Sequence, residues 1–422
     1  MNLRLIKSNL SNGLTVLFQP VPNATSVSIG LWVKIGSRYE SDDEKGYTHF
    51  LEHMLFKGTE KRSSKKQAED IERVGGFFNA VTSREYTYYY VTVASPELEL
   101  GLDILSDMVF SPLLREQDIR NESSVILEEL KSYEDSPDDY VYDEYFKNIF
   151  NNHPLGRDII GTRESVAGVT ENSIQSYYKK HYVPGRMVLS IAGDFPEDEI
   201  KRLTEKYFSI KKESPLVPLE NSPVTKSFSI HFIKRKLEQV NFLLGAEGFP
   251  RDFTTAVRLG VIANILGGGM ASRLFQKIRE EKGLCYSISC FPSSYLDTGI
   301  MNINCATSKD KFLNAVESIL EEIRLLKKDG FSQEELDFAK SNQRGGLAIG
   351  YEIPENRMTD IAMQELYFGR FYNYENRLEE LASVTLDEIN DLVGKVFSVD
   401  QMHFTGIGNI PKVDIKKIHT KI

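Results

Sequence analysis

Cysteine is scarce in this sequence: Cys285, Cys290 and Cys305 are the only three, and no two stand in a C-x-x-C spacing. Three unpatterned thiols argue against a disulfide framework and against a cysteine-built zinc site, and point to reduced, packed side chains. Long hydrophobic runs are missing as well. The opening MNLRLIKSNLSNGLTVLFQPVPN has no apolar stretch of signal-peptide kind, and no later segment reaches the ~18 apolar residues of a membrane span. The expectation is a soluble, cytoplasmic protein. Nor is there an excess of positive charge: the formal net charge is −10, which argues against nucleic acid as a partner and suits the attraction of basic peptides. Low-complexity tails are lacking, and 41% hydrophobic with 27% charged residues is the composition of a soluble globular chain. At 422 residues, two or more domains are expected.

Periodicity predicts an α+β organisation. Strands are expected over 14–19 and 26–35, helices over 47–59 and 64–74, strands in GGFFNAVT and YTYYYVTV, and amphipathic helices over 97–110 and 116–133. The strand RMVLSIAGD and the helix PEDEIKRLTEKYF close the first half. A proline-bearing, aperiodic stretch over 209–226 reads as a linker between domains at 1–208 and 227–422. Beyond it the order recurs: strands SFSIHFIK and QVNFLLGAEGF, a helix TTAVRLGVIANIL, strands LCYSISCF and IMNINCAT, then helices over 313–328 and 333–347. The strand ends Ala94 and Ala306 correspond at an offset of 306 − 94 = 212 residues, half the chain, which is a duplicated domain and not a short-period solenoid.

The duplication is chemically lopsided. Where the first half has THFLEHMLFKG, the second has VIANILGGGMASRLF, without histidine. On a helix His49 and His53 stand one turn apart on one face with Glu52 beside them, which suits two imidazoles ligating one ion and a carboxylate polarising a water. The order is H-x-x-E-H, the inverse of the commoner H-E-x-x-H. A zinc hydrolase needs a third protein ligand, and RNESSVILEELKSYED offers Glu122, Glu128 and Glu129. Glu122 and Glu129 are seven apart and share a helix face, whereas Glu128 is rotated by about 100° from Glu129. Spacing leaves the choice among the three open.

The HFLEH motif, followed by a glutamate 129 − 53 = 76 positions after the second histidine, resembles the inverzincin metallopeptidases: pitrilysin, insulin-degrading enzyme and the mitochondrial processing peptidase. The resemblance extends through GGFFNAVTSREYTYYY, SYEDSPDDYVYDEYF and NHPLGRDIIGT, and the length is that of the short, two-domain, bacterial-type members. It implies two homologous domains, each a mostly antiparallel sheet with helices packed on one face. It also implies one Zn2+ per chain held by His49, His53 and Glu129, Glu52 as general base, and Glu122 accepting the free ring proton of a histidine. The intact set argues against an inactive partner subunit, which the family also contains.

The segment FFNAVT alternates poorly for a half-buried strand, and the small Ala80 beside Asn79 leaves its backbone approachable. By resemblance it is an edge strand to which peptide adds as a further strand, with Asn79 and Ala80 substrate-binding and Phe56 an apolar wall near the scissile bond. In the second half, LGGGMASRLFQKIREEKGLCYS lacks the Gly-Lys-Ser/Thr ending of a phosphate loop. The resemblance instead makes Arg279 and Tyr286, seven apart, a substrate clamp whose tyrosine steadies a developing oxyanion. Two departures stand out: Asn241 occupies a position where members often carry histidine, and the glycine-rich insertion of the noncatalytic processing subunit shrinks to Gly267–Gly269. The expected activity is a zinc metalloendopeptidase acting on unfolded peptides or presequence-like segments within a closed chamber. The expected working unit is a homodimer, in which Arg279 and Tyr286 of one chain serve the zinc of the other.

Overall fold

The computed structural model describes residues 4–210, 224, 226, 229–397 and 402–410; the predicted linker lies outside these except at residues 209, 210, 224 and 226, as do residues 227 and 228 of the next expected strand. The first half runs β1 (Ile6–Asn9), β2 (Thr15–Pro20), β3 (Ser26–Val33), α1 (Tyr47–Leu55), α2 (Ser64–Arg73), β4 (Phe77–Thr82), β5 (Thr87–Ala94), α3 (Leu98–Phe110), α4 (Glu116–Asp135), α5 (Pro137–Phe150), α6 (Arg163–Ala167), α7 (Glu171–His181), β6 (Met187–Gly193) and α8 (Glu197–Phe208). The second runs β7 (Ile230–Lys234), β8 (Gln239–Gly248), α9 (Phe253–Gly267), β9 (Ser287–Ser294), β10 (Gly299–Ser308), α10 (Phe312–Asp329), α11 (Gln333–Gly350), α12 (Pro354–Phe368), α13 (Tyr374–Ser383), α14 (Leu386–Val396) and β11 (His403–Gly408). The strand expected from residue 284 starts only at Ser287, because after the turn at Gly283 (φ +58°) the Leu284 amide bonds back to Ile278 O at 2.8 Å.

There are two compact units, and each takes in a piece of the other half of the chain. One draws on residues up to 131, 157–210 and 348–374; the other on 132–156, 224–347 and 375–410. The first unit holds a six-stranded sheet in the order β1-β2-β6-β3-β5-β4, antiparallel except for β2 with β6. The second holds a five-stranded sheet in the order β7-β11-β8-β10-β9, antiparallel except for β11 with β7.

In the first unit the alternation along β3 sorts the two faces. Val27, Ile29, Leu31 and Val33 point into the main core with Leu51, Met54, Leu102, Leu105 and Ile126 from the helical layer. Trp32 points the other way, stacks on Tyr88 at 4.8 Å, and packs with Met358, Ile361 and Ala362 of α12. This close approach needs Gly30 on the same face, where an added Cβ would lie 2.4 Å from the indole and 3.0 Å from the Met358 sulfur. The second unit repeats the device. Phe242, Leu244 and Ala246 of β8 face α9, α10 and α14, while Tyr145 of α5 covers the opposite face over Gly245, where a Cβ would lie 2.1 Å from its hydroxyl. That hydroxyl donates to Asn302 Oδ1 at 2.7 Å. Each sheet thus has its main helical layer on one face and one further helix on the other. Among the described residues no helix is long and apolar enough to cross a membrane.

Candidate metal centre

The helix α1 follows β3 and two short 3₁₀ turns and presents His49 and His53 on one face, their ring centroids 4.6 Å apart. Its other face is apolar: Phe50, Leu51, Met54 and Leu55 are fully buried, which fixes the rotation of the helix and so the direction of both imidazoles. The helix α4 brings the carboxylates. Its buried stripe of Ile119, Glu122, Ile126 and Leu130 turns Glu122 inward, and Glu129 lies two helical turns further on that side. Glu128 points away, its side chain 71% exposed and paired with Lys131.

His49 Nε2 lies 3.8 Å and His53 Nε2 3.5 Å from the Glu129 carboxylate oxygens. These separations are longer than an ordinary hydrogen bond and close to the about 3.4 Å between two ligands of one tetrahedral ion with bonds of about 2.1 Å. The three side chains offer ligand atoms all within 4.8 Å of one another, the only such group of three or more His, Cys, Asp or Glu among the described residues. Burial and the neighbouring His53 push the His49 imidazole down to about 3, so it stays neutral with a lone pair to give. Its Nδ1 is buried with no hydrogen-bond partner among the described residues.

The tautomer of His53 is set from behind. Its Nδ1 lies 2.8 Å from Glu122 Oε1, a hydrogen bond that leaves Nε2 as the free nitrogen on the side of Glu129. Burial lowers the His53 pKa, but this bond and the charges of Glu129, Glu52 and Glu122 outweigh it and raise the value. Glu122 also pairs with the Lys57 ammonium; burial raises its carboxyl, and His53 and Lys57 together bring it below the usual range. Glu129 lacks such cations: burial raises it, the charge of Glu122 adds to the rise, and His53 only partly offsets it. Two acids on one helix are thereby driven in opposite directions.

Glu52 accepts a hydrogen bond from the Thr82 hydroxyl at the end of β4. Burial raises its carboxyl above the usual range, partly countered by Thr82 and His53. Phe56 at the end of α1 stacks on Phe78, ring centroids 5.4 Å apart, which places an apolar patch beside β4. The strand itself is an edge of the sheet. It alternates more cleanly than the sequence suggests, with Phe77, Asn79 and Val81 exposed and Phe78, Ala80 and Thr82 turned inward. Asn79 Oδ1 accepts the Ala80 amide at 2.9 Å. Arg279 and Tyr286 belong to the other unit. Arg279 lies on a π-helical turn, Phe275–Glu281, its guanidinium 4.5 Å from the Phe275 ring. Tyr286 precedes β9, 59% exposed, its amide donating to Ala306 O at 2.8 Å.

Lys57, Phe78 and Thr82 are the neighbours that sequence reasoning missed. Lys57 alone carried a signal, standing four residues after His53.

Residues 15–163 match the family described as Insulinase (Peptidase family M16), and residues 168–343 match the Peptidase M16 inactive domain. Uncharacterized zinc proteases resemble the chain along nearly its full length. YmxG of Bacillus subtilis is 36% identical over 92% of this chain and 95% of its own, and a protein of Rickettsia felis is 36% identical over 93% and 94%. Among solved structures, a protease from Helicobacter pylori superposes with a TM-score of 0.90 at 21% identity, covering 96% of this chain and 99% of that one. A peptidase M16 inactive domain from Pseudomonas fluorescens gives 0.90 at 20% identity, covering 97% and 99%.

Proposed function

Because the chain belongs to peptidase family M16, we propose that it is a zinc metalloendopeptidase whose reaction is carried by the first unit. One observation carries the reading: His49, His53 and Glu129 bring their ligand atoms within 4.8 Å of one another, with the partly buried carboxylate of Glu52 near them. A zinc ion held by these three would supply Lewis acidity, polarising the scissile carbonyl and making a water acidic enough to attack near neutrality.

The other roles belong to the chain itself. Glu52, oriented by Thr82, takes the proton of the attacking water and returns it to the leaving amine. Glu122 holds His53 in the tautomer that leaves Nε2 free, and Lys57 keeps Glu122 charged while it does so. The edge of β4, around Asn79 and Ala80, suits a peptide added as an antiparallel strand, and Phe56 with Phe78 suits an apolar side chain of that peptide. Strand addition requires an extended backbone, so flexible peptides are the substrates. Cleavage of a quenched fluorescent peptide, lost with a chelator and restored by zinc, tests the reading. A rate indifferent to the chelator would defeat it.

The resemblance to longer members, in which the arginine and tyrosine act from a domain of the other half-molecule, supports a homodimer with composite sites. Arg279 and Tyr286 of one copy would then serve the metal site of its partner. Mixing inactive Glu52→Gln chains with inactive Tyr286→Phe chains restores activity on this account, since each heterodimer keeps one site with both residues. Verified heterodimers that stay inactive would exclude it.

A further inference from the structure

Glu40 is a buried acid that the proposed reaction leaves without a role, and it lies at the start of the histidine-bearing helix. The residue at the N-cap of α1 is Gly46, with φ +82° and no side chain to offer the first-turn amides. A larger cap cannot stand there: an added Cβ would lie 2.6 Å from the Ile160 carbonyl oxygen and 2.8 Å from Gly161 Cα. The capping group comes from six residues upstream instead. Glu40 Oε2 accepts the Gly46 amide at 2.9 Å, and Oε1 accepts the Thr48 amide at 2.8 Å. The Thr48 hydroxyl adds a third hydrogen bond and is itself 2.6 Å from the Tyr177 hydroxyl of α7.

The carboxyl group is almost wholly buried, 3% exposed. Burial pushes it up to about 7, against three hydrogen bonds and the charge of Arg157, whose guanidinium donates to the main-chain oxygen of Glu40. Burying an acid is costly, and a surface cap would spare that cost. What this placement obtains is position. Thr48 is followed directly by His49, whose Nε2 lies 3.8 Å from Glu129. A helix of nine residues depends on its ends for its geometry, so a slack first turn displaces His49 before it displaces the rest.

We propose that Glu40 is a positioning residue for the metal-ligating helix: its carboxylate supplies the cap that Gly46 cannot carry and so fixes the approach of His49. The inference rests on the reading that His49, His53 and Glu129 hold zinc. Glu40→Gln tests it, because the amide keeps the shape but turns a donor toward one of the two backbone N–H groups.

Three quantities are measured on metal-stripped full-length chain: zinc affinity by competition with a chromophoric chelator, the visible spectrum after cobalt(II) substitution, and Tm without metal. The expected result is a zinc Kd raised about 10–100-fold, with cobalt bands changed in position or intensity. Zinc affinity and cobalt spectrum equal to wild type, with only Tm lowered, would reduce Glu40 to a fold-stabilising acid and overturn the proposal. If Glu40→Gln does not fold, Glu40→Asp, which keeps the charge but shortens the reach by one methylene, is read by the same measurements and decides in the same way. A wild-type chain with no affinity for zinc would overturn the metal reading itself, a result distinguishable from equal, tight binding by wild type and variant.

Discussion

Strand for strand, β2-β6-β3-β5-β4 of the first unit corresponds to β7-β11-β8-β10-β9 of the second, down to the one parallel pair in each. The segments between β3 and β4 and between β8 and β9 differ in kind. In the first unit α1 is nine residues long and turns two histidines toward the acids of α4. In the second, α9 is fifteen residues long and buries Leu259, Ile262, Ala263 and Leu266, while α11, the counterpart of α4, turns Leu336 and Ala339 inward. The same frame is filled with apolar packing in one copy and with an ionisable cluster in the other. A duplicated fold can therefore give one copy to chemistry, since the apolar filling of the other preserves the architecture without it.

The shared frame includes the helix each unit takes from the opposite half, and removing its contacts has the largest effect on stability. Met358→Ala in α12 empties a fully buried site against Gly30 and Trp32 of the first unit. It is expected to cost about 2–5 kcal/mol in denaturant unfolding. A change below about 0.5 kcal/mol, as for a surface substitution, would break the view that α12 completes this sheet.

Next in size is the polar filling itself. Glu122→Gln keeps the shape but weakens the hold on His53 and releases Lys57, so zinc affinity should fall about 10–100-fold with the fold intact. Unchanged affinity would make Glu122 a packing residue like its apolar counterparts.

The smallest expected effect lies away from the metal. Burial, and to a lesser degree Lys180 and Arg186, press the His181 pKa down to about 3, and His181 Nδ1 takes a hydrogen bond from Arg186 Nη1 at 2.7 Å. The folded value is below the unfolded one of about 6.5, so the unfolded chain binds the extra proton first. The stabilisation is fully present above pH 6.5 and is lost as pH falls through the window toward 3. Relative to His181→Gln, wild type should lose about 1.4 kcal/mol between pH 7.5 and 5.5. Equal pH dependence of the two proteins would contradict the assignment.

The sequence was most legible where residues signal locally. Two histidines one turn apart with a glutamate between them stand out as a candidate ligand pair from spacing alone, and α4 displays its shared face in its spacing. The choice of Glu129 over Glu128 needed the family resemblance, because a helix face names neighbours only when the facing element is known; the structure turns Glu128 to solvent. Periodicity could mark helices, but amphipathicity does not say which sheet covers the apolar side, so the exchange of α5 and α12 between halves was invisible. β1 has only four residues, and β11 is buried at all six positions and so has no alternation to read. Glu40 and Thr82 escaped entirely, and Lys57 offered only its spacing from His53, because each acts through a contact made by the fold, with partners reached in space.

If the first unit's cluster is a zinc peptidase centre, Glu52 is its base. Glu52→Gln tests it when zinc content and peptide hydrolysis are measured on the same preparation. The variant should bind zinc as wild type does and hydrolyse about 10²–10⁴-fold more slowly, because the amide cannot accept the proton of water while both imidazoles and Glu129 remain. Hydrolysis at the wild-type rate with zinc retained would contradict it.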